Sequence, residues 1–237
     1  MARKRTSKGW FHYKRKFLYL GIKQINKEIA LENLRDFLSL MNGAGIKVVA
    51  GFGSLLGIVR DNDFITWDED IDLCILKEEE NLLEDNLENL RNDGFELIRY
   101  ERIGLYSFMR NGEYIDIYVL QDIGSGIRNC GVDFLFEEDF TDTVCHDFKG
   151  LKINIPRNYK QHLHFLYGDW ETPVQYADFS LSNFQRTVSK LKVALKSALP
   201  DFIFYPMLHK HHKRDLENFI RKCDEQGIIL NKQEIKY

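Results

Sequence analysis

Proline and cysteine are scarce in this sequence, with four of each in 237 residues. Cys74, Cys130, Cys145 and Cys223 form no CxxC pair, which argues against a disulfide scaffold or a paired-cysteine zinc module. The thiols read as reduced and mostly structural. A zinc site drawn from Cys130, Cys145 and His146 is the one metal alternative they leave open. No apolar run approaches the ~20 residues of a membrane span. The start of the chain lacks the apolar segment of a signal peptide. A cytoplasmic protein is therefore expected, one that could still work at the inner face of a membrane. Internal repeats and low-complexity linkers are missing too, so nothing forces a split into two large domains.

Acids are absent from the first 23 residues, which carry Arg3, Lys4, Arg5, Lys8, Lys14, Arg15, Lys16 and Lys23. A solvated basic tail is the plain reading. A patch facing an anionic membrane surface or a polyanionic glycan is the sharper one, and nucleic-acid contact is a third. The whole chain has a net charge of −3, which argues against indiscriminate nucleic-acid binding. Hydrophobic residues at 44% and charged residues at 29% are ordinary for a globular protein that packs its own core.

Apolar residues Ile22, Ile25, Ile29, Leu34, Phe37, Leu38 and Met41 recur at helical spacing and predict an amphipathic helix over 22–41. A short buried strand follows at 47–52, then a Gly53-Ser54 turn and a helix over 55–60. A second strand is expected at 70–76 and an acidic helix at 78–91. Three more strands are expected at 95–99, 105–110 and 114–120, the last two joined at Asn111-Gly112, a strong hairpin signal. Beyond residue 121 an extended piece at 148–155 precedes helices at 158–166, 184–199 and 209–225. This order indicates an α/β (α+β) sheet domain with flanking helices. The expected divisions are a basic N-terminal segment (1–21), a catalytic domain (22–175) and a helical C-terminal extension (176–237).

The chemistry concentrates in the stretch from Gly51 to Leu76. Asp70 and Asp72 lie two apart on a strand, so they project to one face while Ile71 and Leu73 enter the core. Their Cα atoms are roughly 6.5–7 Å apart, within reach of a shared hard cation such as Mg²⁺, or Mn²⁺ in its place. Asp116, alternating with Ile115 and Ile117, is the best third acid, as a metal ligand or as the base that deprotonates an acceptor hydroxyl. Asp68 and Glu69 add negative charge, either as outer support for a metal or as solvated residues at the strand start. Gly53 and Ser54 offer backbone amides and a hydroxyl to a phosphate. Arg60 can grip a phosphate with two donors or pair with Asp61, Asp63 or the acidic strand. Trp67 either walls the site or packs the core. His209, His211 and His212 sit among cations that repel a metal, so a solvated basic surface is expected there. His162 and His164 point in different directions on a helix.

This stretch resembles the LicD family, which includes the fukutin-type proteins. The matching pieces are Gly53-Ser54-Leu55-Leu56-Gly57, Val59-Arg60 and Phe64-Ile65-Thr66-Trp67-Asp68-Glu69-Asp70-Ile71-Asp72. A second match lies at Tyr167-Gly168-Asp169-Trp170 with Pro173. The resemblance implies a nucleotidyltransferase-like mixed sheet with flanking helices. It assigns Gly53 and Ser54 to phosphate, Asp70 and Asp72 to metal, and Asp116 to the third acid. The Tyr167 segment would shape a donor or acceptor pocket. Thr66 stands where the family often has proline, and Asp63 where glycine or a small residue is common.

The implied activity is Mg²⁺-dependent transfer of phosphocholine or a polyol phosphate from a CDP-linked donor to a glycan or glycolipid hydroxyl, as in polysaccharide modification. The residues alone support only metal and phosphate. Two alternatives stay open: a nucleotidyltransferase moving NMP from an NTP to a small acceptor, and a non-catalytic nucleotide- or glycan-binding protein.

Overall fold

The structure is a computed structural model that describes residues 1–18, 21–131, 133–175 and 182–236. The basic start is no solvated tail. Strands β1 (Ala2–Thr6) and β2 (Gly9–Tyr13) form an antiparallel hairpin. Phe11 and Tyr13 are buried, worth roughly 1.5–3 kcal/mol each. The cations of this hairpin face acids downstream: Lys4 Nζ lies 2.6 Å from Glu84, and Lys8 Nζ donates to the Asp85 carbonyl at 2.7 Å. The Lys4–Glu84 pair is largely buried, so its attraction is set against the cost of desolvating both charges; aromatic burial holds the hairpin and the charges set its orientation.

Helix α1 (Lys27–Gly43) starts later than its apolar repeat suggests. The amides of Gly21 and Ile22 donate to the Glu69 carboxylate at 2.6 and 3.2 Å, which holds the preceding segment out of the helix. Asn26 then caps α1, its side chain accepting the Ile29 amide at 3.1 Å. Strand β3 (Val49–Ala50), helix α2 (Phe52–Asp61) and strand β4 (Ile71–Leu76) follow. The expected acidic helix is broken into a 3₁₀ turn at 77–79, α3 (Glu80–Asp85) and α4 (Leu87–Asn92). Asn86 causes the break. Its side-chain amide donates to the Leu82 carbonyl at 2.8 Å, so the side chain competes with the backbone for partners.

Strands β5 (Glu96–Glu101), β6 (Leu105–Arg110) and β7 (Glu113–Gly124) form a meander. Asn111 and Gly112 both take positive φ, 53° and 85°, as a two-residue hairpin turn of the expected kind requires. Strands β8 (Ile127–Cys130) and β9 (Asp133–Phe136) and helix α5 (Glu138–Thr141) occupy the stretch that periodicity left without assignment. The extended piece at 148–155 is one arm of a hairpin, β10 (Thr143–Phe148) and β11 (Leu151–Pro156). Helices α6 (Tyr159–Tyr167), α7 (Asn183–Ala198) and α8 (Asp201–Glu225) complete the chain.

The main sheet runs β10-β11-β3-β4-β7-β6-β5, with β8 added to β7 and β9 to β8. Pairs β11·β3 and β4·β7 are parallel and the others antiparallel. This is the expected mixed α/β sheet with flanking helices and a helical C-terminal region. Phe37 of α1 packs on Phe95 and Phe108, ring centroids 5.2 and 5.6 Å apart. Phe219 of α8 covers Phe134 and Phe136 of β9. Among the described residues no helix is long and apolar enough to cross a membrane.

Helix α2 lies close against the loop that leads into β4. A Cβ on Gly57 would sit 2.5 Å from the Asp63 carbonyl oxygen and 3.2 Å from the Ile65 nitrogen. Both are backbone atoms, so neither can swing aside. Gly57→Ala is expected to lower stability by about 1–3 kcal/mol, read from urea denaturation. An unchanged midpoint would show that the loop yields.

Candidate active site

Strands β4 and β7 run parallel and in register, so Asp72 faces Asp116 across the ladder. The same register continues through the meander: Asp116 pairs with Ser107 on β6, and Ser107 with Arg99 on β5. One row across the sheet therefore reads Asp72, Asp116, Ser107, Arg99. A bulge between Leu97 and Arg99 brings Arg99 into this row, since an extra residue re-aims the side chains beyond it. The Arg99 Nε donates to Ser107 Oγ at 2.8 Å and an Nη donates to Asp116 Oδ2. Asp70 precedes β4 by one residue and shares the face of Asp72.

The helix α2 supplies the opposite wall. Gly53 and Ser54 do not form a free turn; they sit in its first turn. Ser54 is 3% exposed, and its hydroxyl accepts the Asp72 amide at 2.8 Å. The Gly51 amide donates to the Asp72 carbonyl at 3.1 Å. The Asp72 carboxylate accepts from the Gly53 amide and the Tyr118 hydroxyl. A Cβ on Gly53 would lie 2.5 Å from Asp68 Oδ2 and 3.4 Å from Asp72 Oδ2, so any larger residue there would displace the Asp68 carboxylate. Phe52 enters the helix at φ 43°, a strained value for a bulky residue. Its ring packs on Tyr118 at 4.6 Å.

Electrostatics mark these groups as one cluster. Burial, then the charges of Asp72, Asp116, Asp68 and Glu69, push the Asp70 carboxyl well above the usual range. Burial, Asp68 and Asp116 do the same to Asp72, against the pull of its two donors. Asp116 is 1% exposed; burial raises its pKa and Arg99 draws it partly back. Burial lifts Asp68 to about 6. Burial and the three aspartates keep the Tyr118 phenol protonated, hence a donor.

Glu69 is drawn away to the Gly21 and Ile22 amides, so it anchors the chain and leaves the cluster's open side to the aspartates. Arg60 makes two bonds to Asp61, 2.9 and 2.7 Å, and one to the Trp170 carbonyl at 3.4 Å. It still lines a cleft of about 170 Å³ with Gly53, Trp67, Asp68 and Tyr167. The distal Tyr167–Pro173 segment thus meets the acidic stretch, and Asp72 and Asp68 help raise the Tyr167 pKa after burial. The two departures from the family pattern also have partners. Asp63 bridges Lys27 at 2.8 Å and Lys149 at 2.5 Å, and Thr66 accepts from Lys27 at 3.2 Å.

Among the described residues no three His, Cys, Asp or Glu side chains stand ready-made around a metal position. The donor set nevertheless suits a hard divalent cation. It offers carboxylate oxygens only, Arg99 is the one cation paired with them among the described residues, and Asp116 Oδ1 is buried without a hydrogen-bond partner. Asp70, Asp72 and Asp116 are the residues that would hold Mg²⁺ or Mn²⁺. The zinc alternative gains nothing: Cys130 is buried and Cys145 exposed, and neighbours Cys145 and His146 point to opposite faces of β10. His212 is not on a solvated surface but edge-on to Phe134, 6.2 Å between centroids.

Sequence reasoning missed Arg99, Ser107 and Tyr118. Tyr118 carried a signal, since it continues the alternation of Asp116. Arg99 carried none, because the bulge breaks the period that would have placed it.

The family described as LicD/FKTN/FKRP, nucleotidyltransferase domain, matches residues 45–167, just over half of the chain. No curated protein shows a significant match. Similar solved structures include ANT(2″)-Ia in complex with adenylyl-2″-tobramycin, at 13% identity and TM-score 0.43, covering 80% of this chain and 98% of that one. The lincosamide antibiotic adenylyltransferase LnuA, lincomycin-bound, is 14% identical with TM-score 0.42, covering 68% and 95%. The solution structure of the antibiotic-resistance factor ANT(2″)-Ia is 13% identical with TM-score 0.44, covering 85% and 98%. Overlaps this distant bear on neither substrate nor reaction.

The raised Asp68 pKa has a stability consequence. Between the ordinary value of 3.8 and about 6, the folded chain holds a proton that the unfolded chain has lost. Stability from this group therefore falls as pH rises through that window and stays reduced above it. In EDTA-containing buffer, Asp68→Asn is expected to gain stability relative to the parent on going from pH 4 to pH 8. A pH-independent difference between the two unfolding curves would contradict the shift.

The in-register acid row, the glycine-walled start of α2 and the match over 45–167 converge on one conclusion: the chain belongs to the LicD/FKTN/FKRP nucleotidyltransferase-domain family.

Proposed function

We propose that the chain transfers a phosphorus-centred group from a nucleotide-linked donor to an acceptor hydroxyl, with Mg²⁺ or Mn²⁺ as cofactor. The observation that carries this reading is Asp116: buried, facing Asp72 across the ladder, with Oδ1 unpartnered. Asp70 and Asp72 would hold the metal with it. When bound, the cation neutralises the donor phosphates and the charge that develops at the reacting phosphorus. Asp116 also suits a base, because its Oδ1 is free to accept a hydroxyl proton and burial raises its proton affinity above that of an ordinary carboxylate. Arg99 fixes its orientation. The Gly53 amide, the Ser54 hydroxyl and Arg60 are assigned to the donor phosphates, and Trp67 and Tyr167 to the walls of the cleft.

Within this chemistry, NMP transfer from an NTP to a small acceptor is favoured by the description of the family's domain. The second reading is a LicD-type transfer of phosphocholine or polyol phosphate from a CDP-linked donor to a glycan or glycolipid hydroxyl. It is favoured by the 51–72 stretch together with the Tyr167 segment. Peripheral contact with the inner face of a membrane belongs to that second reading. It is supported by α7, which exposes Phe184, Leu191 and Leu195 on a helix that also carries Arg186, Lys190 and Lys192.

The readings differ in which phosphorus is attacked. The chain would be incubated with Mg²⁺, an acceptor panel, and either NTPs or CDP-choline and CDP-polyols. Pyrophosphate release identifies nucleotidyl transfer, and CMP release identifies the phosphotransferase. Asp116→Asn should lower kcat/KM by about 10²–10⁴-fold with an unchanged circular dichroism spectrum. Full turnover in Asp70→Asn, Asp72→Asn and Asp116→Asn alike would remove the proposal.

A further inference from the structure

A second cavity, about 470 Å³, lies at the other end of the acid row. Arg3, Arg15, Lys16, Arg99 and Arg102 line it, with Glu101 as the one acid among its described lining residues. Tyr13, Phe17 and Phe204 supply apolar wall. The hairpin and the residues after it, β5 and the C-terminal helices build it jointly, so it exists only because the basic start folds back.

Two of the cations are committed elsewhere. Arg102 pairs with Asp201, donates to the Leu199 carbonyl at 3.0 Å and stacks over Phe204 at 3.8 Å. Arg3 lies 4.4 Å from the Trp10 ring centroid. Arg15 has no hydrogen bond or ion pair among the described residues, and Lys16 has only the Met109 sulfur at 2.6 Å. Gathering like charges around a concave space costs repulsion unless an anion enters. Arg99 faces both ways: it lines this cavity while its guanidinium holds Asp116.

The cavity and the cleft beside Arg60 share no residue. The cleft meets the row at its Asp72 end through Gly53 and Asp68, and the cavity meets it at the Arg99 end. We propose that the cavity is the anion subsite of the acceptor, holding a phosphate-bearing group so that the acceptor hydroxyl reaches Asp116 from the side opposite the donor cleft. This assignment rests on the transfer reaction proposed above. It implies a phosphorylated acceptor, either a soluble sugar phosphate or a lipid-linked phosphate.

The test is binding, which needs no turnover. In EDTA the acid row repels anions, so pyrophosphate titrated calorimetrically into the full chain reports on the basic cavity. The double variant R15A/K16A removes two exposed or half-buried side chains and leaves the backbone bond from Lys16 to the Ile98 carbonyl in place. Affinity is expected to fall by about tenfold or more, and the charge-retaining R15K/K16R should keep most of it. Flotation with phosphatidylglycerol vesicles separates the sources. Variant-sensitive vesicle binding without pyrophosphate binding assigns a lipid phosphate, and the reverse assigns a soluble one. If the parent binds neither probe, or the double variant binds both as the parent does, the subsite is overturned. Lost transfer activity with intact variant-sensitive binding would fault the reaction and spare the subsite.

Discussion

Mutual repulsion among carboxylates is the constraint around which this protein is arranged. Asp72 and Asp116 face each other on adjacent parallel strands, with Asp70 and Asp68 close by. Two like charges ~5 Å apart repel by about 3 kcal/mol at an effective dielectric of ~20. Hydrogen bonds to charged groups return about 1.5–3 kcal/mol each. The donors from Gly53, Tyr118 and Arg99 therefore offset much of the repulsion between Asp72 and Asp116, but among the described residues no cation pairs with Asp68 or Asp70, so full ionisation of all four stays unfavourable. The folded chain instead raises the carboxyl pKa values and leaves one buried oxygen of Asp116 unpartnered. Such a face is stable only while protons or cations share its charge.

The surrounding structure serves to hold that face in place. The α2 helix begins under strain at Phe52, and its first turn grips β4 through Gly51, Gly53 and Ser54. Glu69 is spent on anchoring the lead-in to α1, which ties the N-terminal segment to the site. The same segment then folds its cations against β5, so the acid row lies between the cleft beside Arg60 and a basic cavity. Positive charge is thus delivered to the Arg99 end of the row by a part of the chain far away in sequence.

Much of the site was legible in sequence because it follows the two-residue period of a strand. Asp70, Asp72 and Asp116 stand out as acids alternating with Ile71, Leu73, Ile115 and Ile117. The Asn111-Gly112 hairpin was legible for a local reason, since few residue pairs tolerate two positive φ angles. What was not legible depended on non-local register or on local exceptions. Arg99 reaches the row only through a bulge. Ser54 carries a partner that its motif did not show, since its hydroxyl also accepts a strand amide. The basic start read as a tail because its acidic counterparts, Glu84 and Asp85, lie some eighty residues away. Asn86 split a helix whose composition promised continuity.

The most direct measurement is calorimetric titration of Mn²⁺ into metal-free protein at pH 6, in buffers of different ionisation enthalpy. Cation binding to carboxyls with raised pKa values must release protons, so the observed heat should vary with the buffer, and Asp72→Asn should bind more weakly. No binding at millimolar Mn²⁺, or buffer-independent heat with affinity unchanged in Asp72→Asn, would contradict a cation-gathering acid row.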